Sequence, residues 1–110
     1  MDDDRICLKE MGKRITQCRK ALGLTQEALA EKSDLTTQAI SLFEAGKRAM
    51  RPDSLLKLAT ALNCSTDYLL TGTVVEKDKL ILSDKLNKLS PQQLKIIESI
   101  VDECITLYHQ

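Results

Sequence analysis

The chain has 110 residues, 43% of them hydrophobic and 3% aromatic, and its 16 Lys and Arg balance 16 Asp and Glu. That length fits one compact domain with an appendage. Zero net charge argues against anion binding by bulk charge, and no apolar run approaches the roughly 20 residues needed to cross a bilayer.

The start, MDDDRICLKEM, is acidic and lacks the apolar centre of a signal peptide, so the expected location is the cytoplasm. Cys7, Cys18, Cys64 and Cys104 are then reduced thiols; their spacing fits no zinc pattern, and a small buried or inert role is expected. With no Trp and few aromatics, the core must be Leu, Ile and Ala on helices. Leu8, Met11, Ile15, Cys18 and Leu22 recur at helical spacing, with Gly23 as the stop. Thr25 caps a second helix; Ala28 denies it a full capping box, and Glu27 suits the positive helix start. Asp34 falls at a tight turn and tolerates the left-handed conformation better than most residues. Thr36 caps a third helix running to Ala45 and ending at Gly46. Pro52 opens a fourth, with Leu55, Leu56, Leu58, Ala59 and Leu62 as its apolar face. Ser65 caps a short fifth helix closed by Gly72.

Residues 73–82 read as a connector, a loop passing into a short helix, with Ser83 capping a turn through Leu86 and Leu89. Ser90, Pro91 and Gln93 then give a strong helix start, and that helix should reach Tyr108. The expected fold is all-α: a five-helix bundle over residues 6–72, a connector over 73–89 and an amphipathic helix over 90–110.

The stretch TTQAISLFEAGKR, residues 36–48, is unusual. At about 100° per residue, Ile40, Phe43 and Glu44 share one face, while Gln38, Ser41, Leu42 and Ala45 lie on or near the opposite side. An exposed helix face is normally rich in Lys and Glu; this one is small and uncharged, with Lys47 and Arg48 just past its end. Two readings fit: an ordinary polar surface helix, or a helix that approaches DNA base edges, where Gln suits adenine and apolar groups suit the thymine methyl. The charge distribution permits the second. Residues 5–72 hold 11 Lys and Arg against 7 Asp and Glu, and residues 73–110 hold 5 against 6.

Residues 11–72 resemble the DNA-binding domain of the Cro and phage-repressor (XRE-type) helix-turn-helix family. The resemblance rests on LTQEALA, the I-x-x-F-E-x-G-K-R run, RP opening the next helix, and DYLLTG. It implies a five-helix, lambda-repressor-like bundle whose second helix lies across the DNA backbone and whose third enters the major groove. Gln26 then matches a residue that contacts phosphate and touches a base. Thr36 matches the cap beside a phosphate, and Thr37, Gln38, Ser41 and Leu42 match the reading positions. Lys47, Arg48 and Arg51 lie in the backbone-facing loop, with Lys13 as a further cation. Arg19 and Glu44 match a structural ion pair between the first and third helices. Cys18 stands where the family usually has Leu, and Asp34-Leu35 replaces the usual Gly and its neighbour in the turn.

Leu94, Ile97, Val101, Cys104 and Tyr108 recur at spacings of 3, 4, 3 and 4, widened by Ile100 and Ile105. So apolar a stripe must fold back on the bundle or pair with a second copy. Pairing is the expectation, with Leu80, Leu82, Leu86 and Leu89 completing the interface, since two-fold proteins match palindromic sites. The penultimate His109 has no metal-binding neighbours in the sequence. The leading reading is a homodimeric regulator, a repressor, that binds double-stranded DNA without cofactor or metal. The alternative is an antitoxin or adaptor whose last helix binds a different protein, such as a toxin or antirepressor. No P-loop, nucleophile elbow or His–carboxylate cluster points to an enzyme.

Overall fold

Seven α-helices and no strand form in the computed structural model, which describes residues 7–108. They are α1 (Leu8–Ala21), α2 (Gln26–Ser33), α3 (Thr37–Glu44), α4 (Pro52–Leu62), α5 (Thr66–Thr71), α6 (Glu76–Leu86) and α7 (Pro91–Tyr108). Their boundaries follow local chemistry. The hydroxyls of Thr25, Thr36 and Ser65 accept the backbone N–H groups of Ala28, Ala39 and Tyr68, each at 3.0 Å, satisfying donors that a helix start otherwise leaves unpaired. Asp34 ends α2 in the left-handed region, at φ 57°. Asn63 does the same for α4 at φ 58°, a role the sequence pattern did not mark. At α7, Ser90 and Gln93 form a reciprocal capping box, with N–H···O distances of 2.9 and 3.2 Å.

By internal contacts the chain divides into one unit up to Asp78 and another from Lys79, a boundary inside α6. The first unit is built around one core. Ile15, Leu29, Ile40, Leu58 and Leu69, one from each of α1 to α5, are wholly buried. Ala39, Phe43, Ala59 and Leu62 fill the space between them, and Cys18, Leu24, Leu35 and Leu55 pack at its edge. Helix α1 lies against α3, α4 and α5, while α2 packs on α3 and α4. A Cβ on Gly12 would fall 2.8 Å from the Phe43 carbonyl oxygen and closer still to that of Glu44, so α1 and α3 touch backbone to backbone here. The Cys64 thiol is pushed up from its ordinary value by its hydrogen bond to Cys18 and then by burial.

Three expectations need correction. Leu22 is 39% exposed, because α1 ends at Ala21 and Leu24 supplies the core contact. Leu56 is 58% exposed: on the helical wheel it lies about 100° from Leu55 and further from Leu58 and Leu62, outside their stripe. Ser83 caps nothing, since it lies in the interior of α6. That helix begins earlier because Asp78, in its first turn, accepts the Val75 N–H at 2.9 Å. The same carboxylate accepts the Ser65 N–H at 2.8 Å and the Ser65 hydroxyl at 2.7 Å.

Helix α6 has no buried residue, and in the second unit Leu80, Leu82, Ile96, Ile100, Ile105 and Leu107 are exposed. No described helix is long and apolar enough to cross a membrane.

Candidate nucleic-acid interface

Two eight-residue helices, α2 and α3, joined by the turn at Asp34–Thr36, make the candidate surface. The left-handed Asp34 brings the Leu35 N–H to the Ala30 carbonyl at 2.9 Å, closing α2 and aiming the chain into α3. Ala39, Ile40 and Phe43 anchor α3 in the core. The opposite side then faces outward: Thr36, Thr37, Gln38 and Ser41 are exposed and Leu42 is half-buried. Glu44 is the sole charge on α3. The outer surface is therefore uncharged and short-chained, which lets it approach base edges without stripping water from an ion.

The chain leaves α3 under constraint. Gly46, at φ 72°, sits so close to α1 that a Cβ would fall 2.9 Å from the Lys9 Cα. The Lys47 N–H bonds the Leu42 carbonyl at 2.9 Å. These two features fix the exit, and Lys47, Arg48 and Arg51 follow as exposed cations. Arg51 lies 3.9 Å from Asp53, with both side chains mostly in solvent, and such pairs are weak. Lys13, also exposed, is 3.4 Å from Glu10.

Behind this surface lies a polar cluster. Arg19 Nε donates to Glu44 Oε2 at 2.7 Å and Nη2 to Oε1 at 3.1 Å, with the side chains 12% and 6% exposed. Arg19 Nη1 also holds the Leu24 carbonyl at 2.8 Å, in the loop that feeds α2. Burial works to raise the Glu44 pKa, but the Arg19 and Gln26 hydrogen bonds and the Arg19 charge outweigh it and hold the carboxyl below its ordinary range. Gln26, half-buried, donates Nε2 to Glu44 Oε1 at 3.0 Å. It is therefore tied to the end of α3 and is not extended freely from the start of α2.

Of the residues expected to join two copies, Leu94, Ile100, Val101, Cys104 and Ile105 are exposed and Ile97 is half-buried. Leu94, Ile97 and Val101 line a shallow groove of about 390 Å³ with Leu86, flanked by Lys95 and Glu98. The Tyr108 side chain and His109 lie outside the described residues.

Sequence reasoning missed Arg14. Its Nε and Nη2 donate to the carbonyls of Leu69 and Leu70, each at 3.0 Å, capping the end of α5. It also missed Asp78, whose pKa lies below its ordinary value. Burial would raise it, but the Val75 and Ser65 hydrogen bonds prevail. Arg14 carries no local signal, because its carbonyl partners are 55 and 56 residues away, and for Asp78 only the bond to Val75, three residues back, is local, while its tie to Ser65 is remote.

Comparison with known proteins places this geometry. A helix-turn-helix family model matches residues 15–69. The transcriptional regulator ImmR of Bacillus subtilis is 40% identical over 78 residues, covering 71% of this chain and 60% of ImmR; the chain thus spans about three fifths of that relative. The P22 c2 repressor, solved with a synthetic operator, superposes with TM-score 0.56 at 41% identity, covering 57% of this chain and 96% of that one. The SinR–SinI complex gives TM-score 0.56 at 25% identity, covering 91% of this chain and 99% of that one. With five core helices, a capped α2–turn–α3 pair and a family match over half its length, the chain belongs to the helix-turn-helix family, with a phage-repressor-type fold.

Proposed function

We propose that this chain is a sequence-specific regulator of transcription that binds double-stranded DNA in the cytoplasm, and that it represses as a homodimer on a palindromic operator. The observation that carries the reading is the exposed, uncharged face of α3 flanked by exposed Lys47 and Arg48. In this reading Thr37, Gln38, Ser41 and Leu42 meet base edges, and Thr36, Lys47, Arg48 and Arg51 meet phosphates, with Gln26 at the edge of both. The backbone N–H groups at the starts of α2 and α3 add phosphate contacts. Phosphate contacts give most of the affinity, and base contacts give the discrimination. The resemblance to the operator-bound P22 c2 repressor supports this assignment.

Dimerisation rests on the apolar side chains that α7 leaves in solvent, Leu94, Ile100, Val101 and Ile105 among them. Pairing two such helices removes that area from water and joins two reading helices in one molecule, as a two-fold site requires. Selecting bound duplexes from a random pool, paired with a mass measurement in solution, tests both halves. A palindromic consensus and a mass of two chains are expected. Absence of any enriched sequence at moderate salt would refute the DNA reading; a monomer that binds a single half-site would refute the dimer.

A second reading has one specific support. The likeness to the SinR–SinI complex extends over 91% of the chain, beyond the bundle and into α6 and α7. In that reading the second unit binds a different protein, and the chain alone stays monomeric at concentrations where a homodimer would form.

A further inference from the structure

We infer that Glu44 is a positioning residue for recognition: by holding the Gln26 amide in one orientation, it makes Gln26 a pre-set contact at the α2–α3 rim. The inference rests on the DNA-binding reading above and goes beyond the structural role of the Arg19–Glu44 pair. A carboxylate only accepts hydrogen bonds, so the group facing Glu44 Oε1 at 3.0 Å must be the amide nitrogen of Gln26. The Gln26 carbonyl oxygen and its second N–H are thereby directed away from Glu44. Oε1 is itself held by Arg19 Nη2 at 3.1 Å, and Arg19 Nη1 fixes the Leu24 carbonyl two residues before Gln26. The side chain and the loop that delivers it are thus set by the same guanidinium.

The consequence for binding is entropic. A free Gln at a helix start samples several rotamers and both amide orientations and must lose that freedom on contact with DNA. Here the loss has already occurred on folding. The charge-assisted bond to Glu44 is strong enough to hold it, because Glu44 stays ionised. A carboxamide at position 44 would still accept from Arg19, but it could present either its oxygen or its nitrogen to Gln26, and the orientation would no longer be determined.

The test has two arms. The first uses the free protein: the side-chain amide proton signals of Gln26 are compared between wild type and Glu44→Gln. Distinct, slowly exchanging signals in wild type that collapse toward free-glutamine values in the variant are expected. The second is a double-mutant cycle on affinity for a duplex selected from a random pool. Gln26→Ala should weaken binding about tenfold in wild type and no more than about twofold beside Glu44→Gln. Glu44→Asp, which keeps the charge for Arg19 but withdraws it by one methylene, should behave like Glu44→Gln and serves if that variant does not fold. Equal cost of Gln26→Ala in both backgrounds, or amide signals indifferent to position 44, would overturn the inference. If wild type enriches no duplex while its amide signals respond to position 44, the DNA reading fails and the hydrogen-bonded orientation stands.

Discussion

Gly12→Ala isolates the close approach of α1 and α3. Two effects oppose each other. Alanine is a better helix former than glycine by about 1 kcal/mol in a helix interior. Against this, the added methyl would stand 2.8 Å from the Phe43 carbonyl oxygen and nearer to that of Glu44, with backbone on both sides and no flexible side chain to yield. Overpacking of this kind costs about 1–3 kcal/mol, and rigid neighbours place it at the upper end. The net is a loss of about 2 kcal/mol, or a fall in Tm of roughly 8–16 °C for a domain of this size. Thermal unfolding followed by helical circular dichroism measures it. Gln17→Ala, on the exposed side of the same helix, is the control and should stay within about 0.5 kcal/mol of wild type. A Tm for Gly12→Ala equal to or above that of wild type would refute the argument, since propensity would then outweigh contact.

Arg19→Met leaves the Glu44 carboxylate, 6% exposed, without its cation and should cost about 3–5 kcal/mol in urea denaturation. Glu44 and Asp78 both have folded pKa values below their ordinary ones, so the stability they confer is complete only above about pH 5, where both are ionised even in the unfolded chain, and is lost as pH falls through the ordinary and then the lower folded values. Denaturation curves across that range should show a steeper acid loss in wild type than in Asp78→Asn. Gln38→Ala should cost about 1–3 kcal/mol at one base step and relax preference there, as read by competition among single-base variants of the selected duplex. Arg48→Ala should weaken all duplexes alike and reduce the slope of log affinity against log salt by about 0.9, measured by fluorescence anisotropy.

What could be read from the chain was what acts locally. Thr25, Thr36, Ser65 and the Ser90–Gln93 pair act within three residues, so their roles follow from spacing alone. Asp34 was legible for the same reason, as a residue able to turn left-handed where a turn had to fall. The uncharged outer side of α3 stood out because surface helices are seldom so free of ions. Remote polar partners were not legible. Arg14 reaches carbonyls 55 and 56 residues away, and Asp78 reaches back 13 residues to Ser65. A charged side chain looks the same in sequence whether water or a distant backbone group receives it. Gln26 shows the limit well: its place at the start of α2 was clear, but its tie to Glu44 depends on how α3 crosses beneath it. Leu22 and Leu56 failed for a geometric reason, since a wheel ranks angles but does not say where a helix ends or how wide its buried arc is.

The contact between Arg14 and the last turn of α5 has a consequence for how the bundle opens. Six residues are too few for a helix to persist alone in water. The amides of α5 thus owe their shelter to Leu69 in the core and to a guanidinium on α1. Hydrogen exchange from the smallest helix should accordingly be as slow as exchange from the first, and both should give way in the same cooperative event.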